Sequence, residues 1–254
     1  MAPDDEIRRA PPPLPFLAAR NRARMITLYH HPFCPHSRFI RLVLGEMGIE
    51  PRLVEEKAWD RRREFLLMAP EGATPVMLDD DGPSLSGAQV VAEYLDETRG
   101  LGLGDRRLMP QEPLARAETR RLMHWFNVKL FHESSQWLVR EKVYKRFMSN
   151  AQGGGAPDMD AVRASRANLR YHLHYIGHLI GAHNWLAGDR LSYADLAAAA
   201  HLSCADYLGD AQWDENETAK TWYARMKSRP SFRPLLAERL PGMMPSVAYA
   251  DLDF

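Results

Sequence analysis

A cysteine at the head of a helix is a candidate nucleophile, and the segment HPFCPHSRFIRLVL offers one at Cys34. The positive end of a helix dipole can acidify such a thiol, and the resulting thiolate can attack a mixed disulfide. Ser37 stands where a CxxC motif would carry its second thiol, so only monothiol chemistry is open. His30 and His31 lie close by and either tune this thiol or close the preceding strand. Cys34 also reads as a residual small residue at a helix start.

Other residues invite the same scrutiny. His174 and His178 are four apart on an expected helix, with His172 and His183 nearby, a spacing that suits a metal ion. No acidic or cysteine ligand shares their register, so they read as packing or solvated residues and no metal site is expected. The chain closes with SVAYADLDF, in which Tyr249, Leu252 and Phe254 alternate or nearly alternate with Asp251 and Asp253 and no base intervenes. Such a segment suits docking in extended form against a basic, apolar-lined partner. It equally suits a clasp folded back on its own protomer. Trp59, an aromatic flanked by charge in what reads as an exposed loop, is a second candidate contact, with packing under its own loop as the alternative.

The elements that must position these residues follow from periodicity. MITLYHH from Met25 and RLVEE after Pro51 read as short strands. Between them Phe39, Ile40, Val43, Leu44 and Met47 recur at helical spacing, with Arg38, Arg41 and Glu46 on the other side, which gives a βαβ unit. DRRREFLLMAP suggests an irregular helical stretch, PVMLD a strand, DDDGPS a turn, and residues 86–97 another helix. The Gly- and Pro-bearing stretch at 98–112 reads as a linker. From 113 to about 150 runs a nearly unbroken helical pattern whose stripe is Leu122, Trp125, Phe126, Leu130 and Phe131, and NAQGGGAPD ends it. A further helix spans about 158–183. In RLSYADLAAAAHL, Ser192 and Asp195 form a capping box for the helix that follows. Pro241, Gly242 and Pro245 close the helical part, which assigns 25–97 to one domain, 113–240 to a second, and 241–254 to a tail. Residues 1–24, with APPPLPFLAARNRAR, lack periodicity and are expected to be a disordered extension.

The chain's 254 residues suffice for two modest domains. Its 33 basic and 33 acidic residues cancel, so no overall field draws it to nucleic acid or an anionic membrane. The apolar runs fall short of the roughly 20 residues that span a bilayer, and only Cys34 and Cys204 are present, which fits a reducing cytoplasm.

APEGATPVML resembles a segment of the glutathione transferases, and HPFCPHSRFIRLVL and NWLAGDRLSYADLAAAAHL resemble two more. The resemblance runs from about Met25 to Glu238. It implies an α/β thioredoxin-like N-terminal domain followed by an all-α C-terminal domain, with Pro75 after a cis peptide bond. In LSGAQVVAEYL this chain carries Gly87 and Ala88 where the family has the Glu-Ser pair that holds the γ-glutamyl end of glutathione. That departure implies a vestigial ligand site at Cys34, Pro75, Gly87 and Ala88 and no cofactor. If glutathione were retained as partner, Cys34 would make the chain a monothiol thiol transferase. A transferase-like chain that lacks this clamp and ends in YADLDF is similar to the FtsZ-binding cell-division proteins of alphaproteobacteria. This closer resemblance implies a non-enzymatic homodimer that binds FtsZ filaments at the division site and favours curved or bundled filaments in constriction. Trp59, Tyr249, Asp251, Leu252, Asp253 and Phe254 would then face the partner.

Overall fold

The computed structural model describes residues 25–80 and 82–252. The expected N-terminal extension at 1–24, and the tail positions Asp253 and Phe254, lie outside the described residues.

Strand β1 (Ile26–His30) alternates buried and half-buried residues and is an inner strand of a small mixed sheet. It pairs in parallel with β2 (Arg52–Glu55), with Leu28 opposite Leu53. Between them runs α1 (Pro35–Glu46), which supplies the crossover that parallel strands require. After α2 (Arg63–Met68) come β3 (Val76–Asp79), antiparallel to β1, and the two-residue β4 (Leu85–Ser86), giving the order β2-β1-β3-β4. The sequence pattern merges β4 into the next helix because two residues show no period. The domain closes with α3 (Ala88–Arg99), and this α/β layer is the thioredoxin-like half of the fold.

Residues 100–112 are more tightly held than a plain linker. Leu108 and Met109 are buried, and Arg107 makes a two-pronged contact with Asp96 on α3 at 3.2 and 2.6 Å. The helical domain begins with α4 (Pro113–His124), capped by the Glu112 carboxylate. This helix continues through π-type turns at Trp125–Ser135 into α5 (Gln136–Val139), then through Arg140–Tyr144 into α6 (Lys145–Phe147). Five-residue spacing shifts which side chains face inward and frees carbonyls from the regular ladder. Next come α7 (Met159–Ala182), α8 (Tyr193–Tyr207), α9 (Glu217–Lys227), α10 (Arg233–Leu236) and one final turn, α11 (Val247–Ala250). No helix among the described residues is long and apolar enough to cross a membrane.

Helix α8 is the axis of the molecule, and all of its 15 residues are buried. Its run of alanines at 197–200 lets neighbouring helices approach closely, and α1 packs along it from the other domain. That contact changes the reading of α1. Arg38 and Arg41, set by periodicity on a polar side, face the helical domain instead of solvent, and Arg38 is wholly buried.

The capping box at the start of α8 forms as expected. The Ser192 hydroxyl accepts from the Ala194 amide at 3.3 Å, and the Asp195 carboxylate accepts from the Ser192 amide at 3.0 Å. Asp195 also accepts from the Leu186 amide at 2.9 Å and the Trp222 indole at 3.1 Å, so it ties α8 to two neighbours as well. Ser192→Ala should cost about 0.5–2 kcal/mol. Asp195→Ala should cost about 3 kcal/mol or more, because it strands several buried donors at once. Urea unfolding monitored by circular dichroism checks the order; equal losses in the two variants would contradict it.

Candidate functional site

Cys34 caps α1, as the sequence suggests. Its sulfur accepts from the Ser37 amide at 3.4 Å and donates, as a thiol, to the Thr74 carbonyl at 3.4 Å. Thr74 precedes Pro75 across the expected cis peptide bond. Burial pushes the Cys34 thiol up, but the His36 ring beside it and the Ser37 amide outweigh burial and hold it down at about 7. His36 is the partner that sequence reasoning missed. Burial lowers its pKa, yet contact with Cys34 and with the Asn127 carbonyl raises it on balance. Since a carbonyl only accepts, His36 Nε2 carries the proton in its 2.8 Å bond to Asn127 O. Behind it His201 lies 2.7 Å from the Ser135 hydroxyl and 3.3 Å from Asn127 Oδ1, and burial holds it well below the usual range. Asn127 and Ser135 come from the π-type turns of the helical domain. His36 was legible as a histidine two residues past the thiol, but nothing in spacing announces Asn127.

His30 and His31 do not tune the thiol. Burial, followed by nearby positive charge, lowers them to about 3 and 4, so both are neutral. His31 Nδ1 accepts from the Phe33 amide at 3.1 Å and shapes the turn into α1. Its ring lies 5.2 Å from Trp59 and 4.9 Å from Tyr144, and Trp59 and Tyr144 are 4.8 Å apart. Trp59, expected in an exposed loop, is therefore half-buried in a three-ring cluster of tilted and edge-on contacts that joins the two domains near Cys34.

Gly87 and Ala88 start α3 and offer no side chain that can hold an ammonium or carboxylate. Gly87 adopts φ 90°, a conformation other residues rarely tolerate, and its amide donates to the Pro75 carbonyl at 3.2 Å. The neighbouring Ser86 hydroxyl is already engaged by the Glu71 carboxylate.

Glutathione S-transferase, N-terminal domain, matches residues 33–98, and Glutathione S-transferase, C-terminal domain, matches residues 139–239. "FtsZ-localized protein A" of Caulobacter vibrioides is 42% identical over 231 residues, which cover 90% of this chain and 98% of that protein. The chain belongs to the glutathione S-transferase family. Among solved structures, a glutathione S-transferase from Sinorhizobium meliloti 1021 superposes with a TM-score of 0.88 at 53% identity, covering 91% of this chain and all of that one. FzlA from C. crescentus superposes with a TM-score of 0.83 at 41% identity and the same coverage.

Of the two readings the sequence leaves open for the tail, the described residues take the clasp. The tail folds into the short turn α11 instead of an extended strand, and Tyr249 is wholly buried. Its ring packs edge-on against Tyr207 at 4.9 Å, and its hydroxyl donates to the Leu235 carbonyl at 2.7 Å. Tyr249 is an internal anchor here, not an exposed partner contact. Leu252 remains 41% exposed, and Val247 and Met244 are 95% and 83% exposed. The helical histidines separate: His172 is buried, accepting from the Trp125 indole at 3.1 Å, whereas His174, His178 and His183 are exposed. Among the described residues no group of three or more His, Cys, Asp and Glu is placed to hold a metal ion.

The two thiols should titrate far apart, since burial pushes Cys204 up to about 11. Thiolate absorbance should show one step near pH 7 that Cys34→Ser removes and His36→Gln moves upward. Because the folded value lies below the ordinary 9.0, the Cys34 thiolate should add stability that grows from pH 7 toward pH 9 and is lost below pH 7. A single step above pH 8 in the native protein would contradict this assignment.

Proposed function

We propose that this chain is a non-enzymatic member of the transferase family that associates with FtsZ filaments at the division site in the cytoplasm. The observation that carries the reading is the 42% identity, over nearly the whole of both chains, to a protein named for its localisation with FtsZ. Its support from chemistry is the empty clamp. Charge-assisted hydrogen bonds contribute about 1.5–3 kcal/mol each, so losing the two at Gly87 and Ala88 weakens glutathione binding by roughly a few orders of magnitude. No cofactor is needed for the proposed role.

A homodimer would present two copies of one surface by two-fold symmetry, so it would bridge filaments or neighbouring subunits and gain avidity from their repeat. Preference for the bent state would stabilise curved or bundled filaments during constriction. The tail from Asp251 through Leu252, Asp253 and Phe254 is the proposed contact. Trp59, engaged within its ring cluster, contributes at most an edge.

One observation favours a second reading, glutathione-dependent thiol transfer: Cys34 has the lowered pKa of a reactive thiol. It requires disulfide reduction with glutathione that disappears in Cys34→Ser.

Purified protein spun with GTP-assembled FtsZ should co-pellet, and a chain ending at Val247 should not. Calorimetric titration with millimolar glutathione should show no saturable heat. If the full chain stays in the supernatant, the FtsZ reading falls; saturable glutathione binding together with turnover would replace it with the transferase reading.

A further inference from the structure

The tail is held at several points along its length before its last residues begin. The Tyr207 hydroxyl accepts from the Leu240 amide at 3.0 Å and donates to the Met243 carbonyl at 2.7 Å. The Ser246 amide donates to the Tyr207 carbonyl at 2.9 Å, and the Ser246 hydroxyl donates to the Asp206 carbonyl at 2.6 Å. Lys227, buried, donates to the Ala248 carbonyl at 2.5 Å. Last comes Tyr249, with no exposed surface, its hydroxyl held between the Leu235 carbonyl and the Arg38 guanidinium, which donates at 3.4 Å. Arg38 belongs to α1, the helix that Cys34 heads, and also donates to the Pro32 carbonyl at 2.7 Å beside the old ligand cleft.

We infer that Tyr249, with Tyr207 and Arg38, is a positioning residue for the tail: the docked turn, not a released strand, is the form offered to the filament. This inference rests on the FtsZ reading proposed above. A released tail would have to withdraw a buried aromatic ring from the Phe33, Val139, Val143, Cys204 and Tyr207 cluster and leave Arg38 short of a partner. The docked tail instead leaves Met244, Val247, Asp251 and Leu252 exposed on the surface. A tail already docked at Tyr249 loses less conformational freedom on association than a released strand would. The same geometry makes Tyr249 inaccessible to the partner, so its effect on binding is indirect.

The test uses the full chain with GTP-assembled FtsZ and reads both co-pelleting affinity and amide hydrogen exchange of residues 240–252. Tyr249→Ala should speed exchange in the tail and weaken binding roughly tenfold although Asp251 through Phe254 are intact. Tyr249→Phe keeps the ring in its cluster and should recover most of both. Tyr207→Phe, which removes two tail hydrogen bonds and spares the ring, should lie between them and serves if the alanine variant fails to fold. Val247→Asp should leave exchange unchanged and weaken binding, because its side chain faces out. Faster tail exchange with unchanged or tighter binding in Tyr249→Ala or Tyr207→Phe would overturn the inference in favour of a released strand. Loss of binding on truncation at Val247 but in none of these variants would overturn it alone. Unchanged binding after truncation itself would overturn the FtsZ-tail reading and this inference together.

Discussion

One buried guanidinium connects most of what distinguishes this molecule. Arg38 is fully enclosed, a position that costs a cation its hydration unless each donor finds an acceptor. Its Nε donates to the Pro32 carbonyl, Nη1 to the Ser203 hydroxyl at 2.8 Å and to Tyr249, and Nη2 to the Glu238 carboxylate at 3.2 Å. Its face lies 4.2 Å from the centre of the Phe33 ring. Those partners come from the turn before α1, the central helix α8, the segment after α10 and the tail. Burial disfavours the charge, yet Tyr249, Cys204 and Glu238 raise the Arg38 pKa above its ordinary value, so the cation persists. Both domains and the tail therefore meet at a single buried charge.

That junction also ties the transferase-like framework together independently of positions 87 and 88. The cleft's structural parts are those that serve folding: the cis-proline turn beside Cys34, the capping box of α8, and the α1 and α8 packing. Glycine and alanine at 87 and 88 leave the α3 start intact. Around the thiol, the His31, Trp59 and Tyr144 rings use the domain boundary for internal packing. The Cys34 and His36 pair is held in place by helix-capping geometry and the Asn127 carbonyl.

Much of the architecture was legible in local pattern. The βαβ unit, the long helices of the second half and the Ser192–Asp195 cap each depend on residues close together in sequence, whereas the cis proline was implied by the family resemblance. Two-residue β4 carried no period to detect. The tighter hold on residues 100–112 depends on Asp96 and Arg107 meeting across a turn, which composition does not reveal. At the site, the missing clamp was visible because it is a matter of residue type, whereas His36 became significant only when the π-type turns brought Asn127 to its ring.

The sequence by itself determined the βαβ unit and the run of helices, the thiol at a helix head, the glycine and alanine at 87 and 88 and the acidic, aromatic character of the tail, because each is local in the chain, while the resemblance to the transferases supplied the fold class. Tertiary structure alone decided that Arg38 is a buried hub, that Trp59 packs inward and that Tyr249 anchors the tail instead of facing a partner. Those outcomes depend on residues up to 211 positions apart coming within hydrogen-bonding distance. Periodicity reports which side of an element is polar, and only packing reports whether that side meets water or another domain.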